Sequence, residues 1–122
     1  MPHLSLEYTA NLAEFFDVPA ALREANAALL GTGLFDAPEQ MKSRATQLEH
    51  YRVGNFDSGE AFIHARLHLM AGRSIAQRQQ LGTALVTALQ SVLAPAAGLR
   101  VQITVEFNEM LLDTYQKLLI EP

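Results

Sequence analysis

Pro2 is the first residue whose type suggests chemistry. Proline lacks a backbone N–H and suits only the opening position of a strand, which is where "PHLSLEY" puts it. If Met1 is trimmed, this residue becomes a free secondary amine, directed by its ring and anchored to the strand behind it. Such a group is a candidate general base. A chain can equally begin Met-Pro with no chemistry attached. The second feature is cationic: Lys42, Arg44, Arg52, Arg66, Arg73 and Arg78 lie between residues 42 and 78 against only Glu49, Asp57 and Glu60, although the chain as a whole has a net charge of −4. This describes either a solvated face or a pocket for a small anion. Arg73 sits in "MAGRS", between a strand and a helix, where it and the first helical amides would face a bound carboxylate; an ordinary surface charge is the alternative. His64 and His68 share a strand face, but four residues of strand span about 13 Å, too far for one ion bound at about 2 Å from each nitrogen. No metal site is expected, and neither "GTG" nor "AGRS" forms a phosphate-binding loop.

Three alternating segments must position these groups. In "HLSLEY" the residues Leu4, Leu6 and Tyr8 oppose His3, Ser5 and Glu7; in "FIHARLHL" Ile63, Ala65, Leu67 and Leu69 oppose Phe62, His64, Arg66 and His68. In "LRVQITVEF" Leu99, Val101, Ile103, Val105 and Phe107 oppose Arg100, Gln102, Thr104 and Glu106. Period-2 alternation of this kind predicts half-buried strands. A less regular fourth strand is expected over residues 43–53, before the turn-rich "GNFDSG". Pro19 suits the first turn of one helix, with Leu22, Ala25 and Leu29 at helical spacing and Gly31 and Gly33 as its stop. Ser74 and Gln77 form a capping box for a second, whose stripe is Leu81, Leu85, Leu89 and Val92, ended by Pro95 and Gly98.

The order strand, helix, strand, strand, helix, strand predicts an α+β domain of two βαβ units, residues 2–58 and 59–108, with a tail over 109–122. Right-handed crossovers would set both helices on one face of a four-stranded sheet. The opposite face then carries a mixture of charges that can meet water or line a symmetric oligomer, with Arg and Glu paired across strands. In the tail, Met110, Leu111, Tyr115, Leu118 and Leu119 recur at helical intervals, which predicts either core packing or an arm onto a neighbouring subunit.

At 122 residues and 49% hydrophobic content, the chain fits one domain with a core. With 18% charged residues and a negative balance, nucleic acid and membrane surfaces are not expected partners. The absence of cysteine excludes disulfides and thiol catalysis. No apolar run is long enough for a membrane span and no signal-peptide pattern opens the chain, so a cytoplasmic location is the expectation.

"PHLSLEYTANL", "GTGLF", "KSR" and "AGRSIAQRQQLG" together resemble the 5-carboxymethyl-2-hydroxymuconate isomerase family of the tautomerase superfamily, from Pro2 to about Phe107. The resemblance implies a tautomerase-like fold, a homotrimer with its sheets turned inward, no cofactor, and Pro2 as catalytic base once Met1 is lost. It also implies substrate-binding roles for Arg73 and for Lys42 and Arg44. The last two stand in "KSR", where relatives tend to show Arg-x-Arg. Lysine supplies charge there without a bidentate fork, so substrate preference is expected to differ. The implied reaction is keto-enol tautomerisation of 5-carboxymethyl-2-hydroxymuconate, a small polycarboxylate enol of aromatic catabolism. The alternatives are an enzyme for another enol, of 2-hydroxymuconate or phenylpyruvate type, or a non-catalytic trimeric binding protein.

Overall fold

Two parallel strand pairs meet along an antiparallel seam in the computed structural model, which describes residues 2–96 and 98–122. Strand β1 is His3–Thr9, helix α1 Val18–Gly31, strand β2 Lys42–Leu48, strand β3 Glu60–Met70, helix α2 Ile75–Val92 and strand β4 Arg100–Met110. The sheet order is β2-β1-β3-β4, with β1/β2 and β3/β4 parallel and β1/β3 antiparallel. These are the two βαβ units, joined through their first strands.

Alternation decides which way each strand faces. Leu4, Leu6, Ile63, Ala65 and Leu67 are at most 1% exposed and pack with Ala21, Ala25 and Leu29 of α1 and Leu81, Leu85 and Leu89 of α2. Each such leucine contributes roughly 1.5–3 kcal/mol by leaving water. The helices pack on each other, so both cover one side of the sheet. Residues of opposite parity form the other, open side. There Glu106 Oε1 accepts from His64 Nε2 at 2.9 Å and from Arg66 Nε at 2.8 Å, the cross-strand pairing expected from the charges.

The helix ends are set locally. Asp17 Oδ1 accepts the Ala20 amide at 3.1 Å, a cap that starts the helix at Val18 and leaves Pro19 in its first turn, as the sequence suggests. Ser74 Oγ accepts from Gln77 N–H at 3.1 Å while Gln77 Oε1 accepts from Ser74 N–H at 3.0 Å, the reciprocal box read from the sequence.

Two expectations change. The fourth strand is shorter than residues 43–53, because it pairs with β1 only through Leu48, opposite Thr9, where β1 itself ends. The tail forms no helix: its Glu109 and Met110 extend β4, and one turn closes from Thr114 and Tyr115 N–H to Leu111 O. Nor does it join the core, since Leu111, Leu112, Leu118, Leu119 and Ile120 are 66–83% exposed. Helical spacing without a surface to bury against does not overcome the cost of nucleation.

Candidate active site

Pro2 lies immediately before β1 and is buried, and its carbonyl accepts the Lys42 amide at 3.2 Å, so the β1/β2 ladder anchors it from behind. Met1 and the question of its removal lie outside the described residues. In front of Pro2 is a cavity of about 190 Å³ lined by Leu34, Phe35, Asp36, Ala37, Gln40 and Arg73. Two turns deliver this lining. Gly33 at φ +75° turns the chain from α1 into Leu34 and Phe35, and Gly72 at φ +115° turns β3 toward Arg73. Both are left-handed conformations in which an L side chain is strained.

Arg73 is held on two sides. Its Nη2 donates to the Leu34 carbonyl at 2.6 Å, and its guanidinium carbon stands 5.2 Å from the centre of the Phe35 ring. Phe35 and Arg73 also border a second cavity of about 370 Å³, which reaches Gln77 in the first turn of α2. The stack therefore stands between two chambers, and the smaller alone is below the roughly 300–1,000 Å³ typical of ligand sites. Among the described residues Arg73 has no carboxylate partner. It is thus a guanidinium with donor capacity left for an anion.

Lys42 and Arg44 do not line this cavity. They stand opposite His3 and Ser5 in the β1/β2 register, on the open side of the sheet. Lys42 Nζ donates to Gln40 O at 3.4 Å, and Arg44 Nη2 lies 3.2 Å from His3 Nδ1. Within one chain Arg73 shares the cavity with Pro2, and Lys42 and Arg44 do not. His3, Tyr115, Leu34 and Phe35 escaped sequence reasoning. Only "GTGLF" carried a signal, a glycine turn followed by two apolar residues where a loop would otherwise be polar.

No group of three or more His, Asp or Glu able to hold a metal ion occurs among the described residues. His64 and His68 have separate neighbours: His64 bonds Thr104 Oγ1 at 2.6 Å and Glu106, whereas His68 stands opposite His3. No helix among the described residues is long and apolar enough to cross a membrane.

The family model for 5-carboxymethyl-2-hydroxymuconate isomerase matches residues 2–118. A 5-carboxymethyl-2-hydroxymuconate Delta-isomerase of Escherichia coli is 30% identical over 94 residues, covering 77% of this chain and 74% of that protein. The crystal structure of a 5-carboxymethyl-2-hydroxymuconate isomerase from Deinococcus radiodurans R1 superposes with a TM-score of 0.84 at 31% identity, over 96% of this chain and 88% of that one. A structure described as a fused 4-OT symmetric trimer has a TM-score of 0.66 at 16% identity, over 93% of this chain and 91% of that one, a likeness of fold.

Proposed function

Because the chain belongs to the 5-carboxymethyl-2-hydroxymuconate isomerase family and has its tautomerase-like fold, we propose that this isomerase interconverts the enol and keto forms of 5-carboxymethyl-2-hydroxymuconate, with Pro2 as the base. The observation that carries the reading is the shared cavity of Pro2 and Arg73. An α-amine in water has a pKa of about 8. The Arg73 guanidinium in the same cavity and the burial of Pro2 disfavour the ammonium form, against the opposing charge of Asp36, and in this reading the ring nitrogen of the trimmed chain supplies a lone pair near neutral pH. It takes the proton of the substrate's 2-hydroxyl and returns it to C5, giving the conjugated ketone with no net change in protons. Arg73 meets a substrate carboxylate and the charge that develops on the dienolate. No step calls for a cofactor.

Lys42 and Arg44 act from the open side of the sheet, where a trimer with its sheets turned inward brings neighbouring copies together. The half-buried polar residues of that side and the exposed apolar tail support such an assembly. In this reading the tail is an arm onto a neighbouring subunit.

Three proteins test it: the Met1-free chain, Pro2→Ala, and a chain that keeps Met1, in which the proline nitrogen is an amide. Turnover of the dienol, followed by ultraviolet absorbance, falls about a hundredfold or more in the second and third, the usual weight of a general base. Equal rates in all three would leave Pro2 without a role, and turnover no faster than the uncatalysed reaction in all three would favour a non-catalytic protein. Faster turnover of the phenylpyruvate enol would move the substrate assignment to a monocarboxylate.

A further inference from the structure

His3 makes two contacts that the chemistry at Pro2 leaves unexplained. Its Nδ1 lies 3.2 Å from Arg44 Nη2 and its Nε2 2.8 Å from the Tyr115 hydroxyl, with the two rings edge to face at 6.1 Å. These partners decide where the ring proton sits. A guanidinium has only donors and keeps its charge, so Nδ1 must be the accepting nitrogen. Nε2 then carries the hydrogen and donates it to the Tyr115 oxygen, leaving the hydroxyl's own hydrogen free. The imidazole is neutral in this arrangement. Burial, followed by the charges of Arg44 and Lys42 on β2 and of His68 on β3, holds it below the usual histidine range. Among the described residues neither Arg44 nor Lys42 has a carboxylate partner, so the patch keeps an uncompensated positive charge.

We propose that Tyr115 is a positioning residue for anion binding: by accepting the His3 Nε2 hydrogen it keeps Nδ1 turned toward Arg44, and so holds a guanidinium ready for a substrate carboxylate. A ring flipped by half a turn would turn its Cδ2–H to the guanidinium, and the other tautomer would present an N–H; either removes the accepting nitrogen. The segment after β4 therefore belongs to the anion-binding apparatus. This inference rests on the proposal that Arg44 meets substrate.

Tyr115→Phe removes one oxygen and tests it in the Met1-free enzyme. KM for the 5-carboxymethyl-2-hydroxymuconate dienol rises about three- to tenfold, the weight of one hydrogen bond, while kcat stays within about twofold. In an Arg44→Ala background the same change has no further effect on KM. The wild-type ¹⁵N imidazole spectrum at pH 7.5, assigned with His3→Gln, shows the Nε2–H form of His3. An unchanged KM, an undiminished effect without Arg44, or a predominantly Nδ1–H or doubly protonated His3 overturns the proposal. Loss of activity in Pro2→Ala with none of these effects in Tyr115→Phe would sink this inference alone. If Pro2→Ala is fully active the functional reading falls instead, and the affinity for cis,cis-muconate then decides. A three- to tenfold loss in Tyr115→Phe sustains the positioning role and an equal affinity ends it.

Discussion

Arg73 is held by a carbonyl on one edge and an aromatic ring on its face, and both constraints suit a planar guanidinium better than an ammonium. A lysine at this position would keep the charge and lose the stack on Phe35. Accordingly Arg73→Ala is expected to raise KM for the dienol on the order of ten- to a hundredfold, the range of a charge-assisted hydrogen bond. Arg73→Lys should fall between it and wild type in steady-state kinetics. Equal KM values in all three proteins would show that the anion binds elsewhere. Arg73 was legible because a basic residue between a strand and a capped helix has few places to point. Its partners were not, since Leu34 and Phe35 lie nearly forty residues earlier and meet it only after both crossovers have closed.

At the scale of elements, the start of α2 matters most because it follows Arg73 directly. Ser74→Ala removes the acceptor for the Gln77 amide and leaves the reciprocal bond without its mate. A loss of about 1 kcal/mol in urea unfolding is expected, as for other N-cap deletions. A change within error would mean that tertiary packing, chiefly Leu81, Leu85 and Leu89, sets the helix start alone. Capping boxes are readable because they close within four residues. The tail shows the converse: Leu111, Tyr115, Leu118 and Leu119 have helical spacing, yet the chain makes a single turn and places Tyr115 against His3, 112 residues away. Periodicity names a face, and a face needs a surface to bury against before it becomes a helix.

Across the whole molecule, the open side of the sheet couples charge to stability. Glu106 titrates below the usual carboxylate range because it accepts from His64 first and Arg66 second, and His3 below the usual histidine range because of burial and the neighbouring cations. Both shifts act in the same direction. The unfolded chain binds each proton at higher pH than the folded one, so the stabilisation is whole above the ordinary value and is lost as pH falls through the folded one. The thermal unfolding midpoint should therefore drop in two stages on acidification. The first starts near the ordinary histidine value of 6.5 and is absent in His3→Gln; the second starts near the ordinary carboxylate value of 4.5 and is absent in Glu106→Gln. Midpoints constant from pH 7 to pH 4 would contradict this account.

The amino-acid sequence by itself determined the order of elements, the two faces of β1, β3 and β4, and the caps that start α2, because alternation, turn chemistry and capping act over a few residues. It also marked Pro2 and Arg73 as groups with chemistry to offer. Only the tertiary structure decided which cations share a cavity with Pro2. The strand order β2-β1-β3-β4 and the His3–Lys42 and Ser5–Arg44 register turn Lys42 and Arg44 to the open side, while the turn at Gly72 carries Arg73 to the Leu34–Phe35 loop in front of the proline. Pairing between distant segments sets those directions, and no local spacing of residues encodes it.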